Sequence, residues 1–199
     1  MGSLSAAGSA GTAARREADA AVDTAPRALL AALADLLSYP GPATRGLAAE
    51  TAASLQLADD DAGASFLHHV AGAPVEALQE LYGATFDLQP TCAPYVGHQL
   101  LGEESGLRGP LLARLVAIYR RDGFAPQEEL PDHVAEVLRY LSRVGPSAER
   151  DDLVRDGLLP ALRKMIACLE DEGHPYRDAL ALTERVVRAL PLAGEGGAP

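Results

Sequence analysis

Apolar residues recur at spacings of three and four along most of this chain, and turn-forming residues separate the runs. Leu29, Leu30, Leu33, Leu36 and Leu37 follow Pro26, and Tyr39-Pro40-Gly41-Pro42 closes the run; this predicts a first helix. A second is expected over Thr44 to Leu57. Asp59-Asp60-Asp61 can cap a third, carrying Phe66, Leu67 and Val70 and stopped by Gly72. Pro74 opens a fourth, with Leu78, Leu81, Tyr82 and Phe86 on one face, broken at Gln89-Pro90-Thr91. A short turn or helix is expected around Tyr95 to Leu101, then a long one from about Leu107 to Arg121, stopped by Gly123. Pro131-Asp132 opens the next, with Val134, Val137, Leu138 and Leu141 inward. Ser147 can cap a stripe from Leu153 to Leu169, in which Pro160 predicts a kink or a break. Tyr176, Leu180, Thr183, Val187 and Leu190 mark the last helix. No segment alternates with period two.

These stripes predict an all-α, single-domain helical bundle over residues 25–190. Residues 1–24 lack apolar periodicity, and residues 191–199 are rich in Pro and Gly, so both are expected to be disordered tails. Composition agrees. Of 199 residues 48% are hydrophobic, only 5% are aromatic, and Trp is absent. Ala and Leu favour helix, while the residues that suit pleated sheets are few.

The net charge of −11 argues against binding nucleic acid, which requires a basic face, and against docking on an anionic membrane. It favours solubility and cationic partners. Cys92 and Cys168 lie far apart in sequence, which suggests free thiols in a reducing compartment. Arg15-Arg16 is followed by Glu17, Asp19 and Asp23 instead of an apolar stretch, so an export signal is not expected. Ala6 stands where N-myristoylation wants Ser or Thr. A cytoplasmic protein is the expectation.

Little in the chain announces chemistry. His68 and His69 point about 100° apart on a helix and cannot chelate together. His98, His133 and His174 form no paired spacing, and Cys92 with His98 lacks a second pair, so no metal is expected. No nucleophile elbow, phosphate loop or zinc-protease motif is present. Glu103-Glu104 and Asp151-Asp152 are acids of the kind found solvated or capping helices. These residues point to no enzyme or bound cofactor unless a site is assembled from scattered residues.

Glu129-Leu130-Pro131-Asp132-His133 reads as a helix start, with Pro131 presetting φ and the acids complementing the positive helix end. His133 is then anomalous, because the first turn disfavours an imidazolium. A neutral His133 beside a buried Asp132 would form a hydrogen-bonding pair able to take a peptide or an arginine. Tyr82 and Phe86 share a helical face at i, i+4, which ordinarily means core.

The order Leu36-Leu37-Ser38-Tyr39-Pro40, Tyr82-Gly83-Ala84-Thr85-Phe86-Asp87-Leu88, Tyr119 and Glu129-Leu130-Pro131-Asp132-His133-Val134 resembles the cytoplasmic assembly chaperones of molybdenum oxidoreductases, the delta-subunit chaperone of respiratory nitrate reductase and its relatives. The resemblance is best from residue 82 to 141. It implies a chaperone that binds the molybdopterin-containing catalytic subunit, or its N-terminal leader, until cofactor insertion is complete. It places Asp132 and His133 on the leader-binding surface, with Glu129 and Pro131 beside them, and brings Tyr82, Phe86 and Tyr119 to the same groove, with Tyr95 joining from its loop. The Pro90-Thr91-Cys92-Ala93-Pro94 loop departs from the nitrate-reductase type. It looks closer to chaperones of enzymes acting on selenate, chlorate, dimethyl sulfide or ethylbenzene. The rival expectations are a small helical enzyme or cofactor-binding protein with a dispersed site, and a helical adaptor.

Overall fold

A computed structural model describes residues 26–55, 61–87, 90–102, 105–170 and 173–193. The expected tail at 1–24, residues 194–199 of the expected tail at 191–199, Leu57, the capping acids Asp59 and Asp60, and the Glu103-Glu104 pair lie outside them. The described residues are helical, with no strand and one isolated antiparallel bridge between Tyr95 and His133.

The helices, in chain order, are α1 (26–36), α2 (Thr44–Leu55), α3 (Ala62–Gly72), α4 (Val75–Phe86), α5 (Val96–Leu101), α6 (Arg108–Arg121), α7 (Val134–Arg143), α8 (Ala148–Asp152), α9 (Leu159–Cys168) and α10 (Pro175–Arg188). Their boundaries follow local chemistry. Asp61 Oδ1 accepts from Gly63 N–H at 2.7 Å and caps α3, as its position suggests. Gly123 sits at φ 72°, the left-handed conformation that lets the chain leave α6. Ser147 caps α8 through Arg150 N–H.

Of the kink or break expected at Pro160, the break is absent. A wide π-helical segment, Leu153–Leu158, joins α8 to α9, and Leu159 N–H reaches back to the Val154 carbonyl. Proline lacks the N–H and crowds the carbonyl four residues back. The wider turn just before it accommodates that defect without loss of helical continuity.

One core unites the bundle. Leu30 and Leu33 of α1, Leu37 just after it, Leu138 and Leu141 of α7, Leu162 and Met165 of α9, and Leu180 of α10 are sealed from solvent. Helix α7 is the innermost: every residue from Val134 to Leu141 is buried. Two of those residues are charged. Arg139 meets Glu136 at 2.7 Å, Asp35 at 3.1 Å and Ser38 Oγ at 2.7 Å. Glu136 also accepts the N–H groups of Gln127 and Glu128. A buried ion pair is tolerated only when its remaining hydrogen-bonding capacity is satisfied, and here the satisfying groups are the end of α1 and the loop before α7. The central helix thereby fixes both segments.

Candidate functional site

The segment before α7 departs from the expected helix start. Helix α7 begins at Val134, and His133 is its N-cap in extended conformation (φ −64°, ψ 136°), with Asp132 outside the helix. The reason is the isolated bridge. The Asp132 carbonyl accepts from Val96 N–H at 2.7 Å, and Val134 N–H donates to the Pro94 carbonyl at 2.9 Å. These bonds hold His133 extended against Tyr95.

Asp132 and His133 do not bond to each other; each is committed elsewhere. The fully buried Asp132 carboxylate accepts from Gly97 N–H at 3.1 Å and from Arg108 at 3.1 and 3.3 Å. It thus clamps the start of α5 and of α6 to the α7 entry. The approach to α5 is so close that a Cβ on Gly97 would stand 2.7 Å from Asp132 Oδ2, so this position requires glycine. Arg108 also lies over the Tyr95 ring, 5.0 Å from its centroid.

His133 Nδ1 accepts from Ala135 N–H at 3.1 Å, which answers the anomaly of a histidine at a helix N-terminus: the ring caps as a neutral acceptor. Burial, with the Arg139 charge second, lowers its pKa to about 4. The ring packs edge-on to Tyr95 at 5.2 Å. Tyr95 is half-buried and its hydroxyl donates to Glu129 Oε2 at 3.2 Å. Burial, then the Glu129 carboxylate, pushes the Tyr95 hydroxyl up to about 12.

Tyr82 and Phe86 stand in a separate aromatic cluster on α4, with ring centroids 5.2 Å apart and Tyr176 of α10 against both. Phe66 of α3 closes the cluster behind Tyr176. Both Tyr82 and Phe86 are buried, the core role that i, i+4 spacing ordinarily means. The Tyr82 pKa is raised, first by burial and next by the Glu129 charge and by Tyr95, so this cluster borders the Tyr95–Glu129 pair electrostatically. Tyr119 does not line a groove with them. It is fully buried against Phe124 and Tyr140, and its hydroxyl donates to the Pro131 carbonyl at 2.9 Å. Its part is to hold the Pro131 turn from behind.

The residue that sequence reasoning left off the site is Tyr39. It is 58% exposed, yet its ring packs edge-on to Tyr82 at 5.5 Å. Arg139 holds neighbouring Ser38, and Gln79 Nε2 holds the Pro40 carbonyl at 2.9 Å. Tyr39 walls an open hollow of about 500 Å³ on α4, with Gly83 in its lining and Glu76, Glu80 and Asp87 around it. The signal was present in the Leu36-Leu37-Ser38-Tyr39-Pro40 block, where a large aromatic follows the last core leucine. A larger apolar groove, about 650 Å³, lies between α1, α2 and α10 and is lined by Leu29, Leu47, Leu55 and Val186. None of the sequence-derived candidates lines it.

Among the described residues no three His, Cys, Asp or Glu side chains cluster in a way that could hold a metal, and no helix is long and apolar enough to cross a membrane.

Residues 16–181 match the model of a family described as nitrate reductase delta subunit. No curated protein sequence matches the chain significantly. Among solved structures the fold is similar to that of a candidate redox enzyme maturation protein from Archaeoglobus fulgidus, with a TM-score of 0.60 over 81% of this chain and 93% of that one. At 22% identity this likeness establishes the shared helical architecture.

Proposed function

Because the chain belongs to the nitrate reductase delta subunit family, we propose that it is a cytoplasmic chaperone in redox-enzyme maturation. Its client is the molybdopterin-containing catalytic subunit of an oxidoreductase, held through the N-terminal leader until the cofactor is in place. It acts by binding, without turnover and without a cofactor of its own.

The observation that carries this reading is an exposed tyrosine in an acidic hollow. Tyr39 offers an aromatic face in the company of Glu76, Glu80 and Asp87. A leader that presents an apolar side chain beside basic residues matches that chemistry. The apolar group packs on Tyr39, and the basic groups meet carboxylates. At the α7 entry the solvent-exposed Tyr95–Glu129 contact offers a second pairing of aromatic ring and carboxylate. Asp132, His133, Pro131 and Tyr119 are positioning residues. Their buried bonds set the Tyr95 loop and the Glu129 turn, and Tyr82, backed by Phe86, supports Tyr39. The client-contacting set is therefore Tyr39, Tyr95, Glu129 and the α4 acids.

The test is co-expression with the catalytic subunit of the molybdenum oxidoreductase from the same organism. The tagged chain should retain that subunit before cofactor loading and release it afterwards. The subunit's molybdenum content should fall when the chain is omitted. A subunit that fills with cofactor equally well in its absence would end the proposal.

A further inference from the structure

The two cysteines of the chain are 76 residues apart, and the fold brings them to one place. Cys92 lies in the loop between α4 and α5, where its N–H donates to the Thr85 carbonyl at 3.0 Å. Its side chain is buried and points at the last turn of α9, with the thiol 3.6 Å from the Met165 carbonyl. Cys168 is the last residue of α9, one turn beyond Met165, and it is exposed. Both thiols are free, and the Cys92 thiol lies against the turn of α9 that ends in Cys168. Burial pushes the Cys92 thiol up to about 12, and Cys168 adds to the rise by charge and by hydrogen bonding. Beside them an open cleft of about 420 Å³ is lined by Thr91, Cys168, Glu170 and His174. A small oxidant therefore reaches Cys168, while Cys92 is sealed behind it.

We propose that Cys92 and Cys168 form a redox-reversible disulfide site, closed by a hydroperoxide and opened by a dithiol, which fastens the Tyr95 loop to the end of α9. The chemistry balances in two steps. The Cys168 sulfur attacks one peroxide oxygen, the O–O bond breaks, and the thiol becomes a sulfenic acid with release of water. The Cys92 sulfur then attacks the Cys168 sulfur. The S–S bond forms, the S–O bond breaks, and the departing hydroxide takes the Cys92 proton as a second water. The two thiols have given two electrons to the peroxide. A dithiol reductant returns two electrons and two protons by thiol–disulfide exchange. Because Cys92 is buried and protonated at neutral pH, the second step is slow. The site responds to sustained oxidant and is not a rapid peroxide scavenger. The closed form ties the loop that carries Pro94 and Tyr95, hence the bridge to His133, to a helix end distant in sequence.

The test treats the full chain with hydrogen peroxide, blocks residual thiols, and reads intact mass, peptide mapping and thermal melting. The expected result is loss of two hydrogens, a peptide joining Cys92 to Cys168, and a melting temperature several degrees higher, because a long loop has been closed in the unfolded state. Dithiothreitol should reverse all three. Cys168→Ser, an exposed change that leaves the core untouched, should abolish both the cross-link and the shift. Uptake of oxygen at Cys168 without cross-linking, or a cross-link joining two chains through Cys168 that persists in Cys92→Ser, would overturn the proposal.

Discussion

Replacing His133 with asparagine separates its capping role from its charge. In the folded protein the ring is buried, accepts Ala135 N–H and titrates near pH 4 instead of 6.5. Between those values the unfolded chain carries one proton more than the folded chain, so stability falls as pH falls. The slope reaches about 1.4 kcal/mol per pH unit. Integrated down to pH 5, the loss assigned to this group is about 2 kcal/mol. Asparagine is a good N-cap and does not titrate. His133→Asn should therefore stay within about 1 kcal/mol of the parent at pH 7.5 and be the more acid-resistant of the two. Urea unfolding at pH 7.5, 6.5, 5.5 and 5.0 reads the difference, and all other titrating groups are shared by both proteins and cancel. Parallel pH profiles for parent and variant would refute the neutral, buried cap.

Four further outcomes follow from the same packing. Gly97→Ala should cost about 2 kcal/mol in denaturant unfolding, since its methyl would meet Asp132 Oδ2 at 2.7 Å and Leu111 at 3.1 Å. Asp132→Asn keeps the shape but weakens the bonds to Gly97 and Arg108, and should cost about 2 kcal/mol; the double substitution of Asp132 and His133 by alanine should cost more and reveal itself first as a lowered melting temperature. Phe86→Ala removes the ring packed 4.7 Å from Tyr176 and should cost about 3–5 kcal/mol by the same assay.

The helices were readable because their information is local. Leucines spaced three and four apart in α1, the Asp61 cap and the Gly123 stop each act within one or two turns, and the fold confirms them. The site was harder because its bonds join distant residues. Asp132 pairs with Gly97 and Arg108, separated from it by 35 and 24 residues, and no spacing rule links them. That distance hid the partners of Asp132, whereas His133 caps locally through Ala135 N–H, so the Asp132–His133 pair expected from sequence does not form. The buried charges of α7 are non-local in the same way: Glu136 and Arg139 are satisfied by Asp35, Ser38 and the N–H groups of Gln127 and Glu128. Tyr119 fits a helical stripe equally well as core or as groove wall. Its contacts with Phe124, Tyr140 and the Pro131 carbonyl decide for core.

Whether the acidic hollow holds the client is decided by titrating a synthetic peptide of the catalytic subunit's N-terminal leader into the full chain and into Tyr39→Ala, by calorimetry at low and high salt. Tyr39 is exposed, so its truncation should shift stability by no more than about 0.5 kcal/mol. Peptide affinity should nevertheless fall roughly tenfold, as expected for a lost aromatic anchor. Affinity for the parent should also fall as salt rises, because basic residues meet Glu76, Glu80 and Asp87. Unchanged affinity in Tyr39→Ala, with no dependence on salt, would contradict leader binding at this surface.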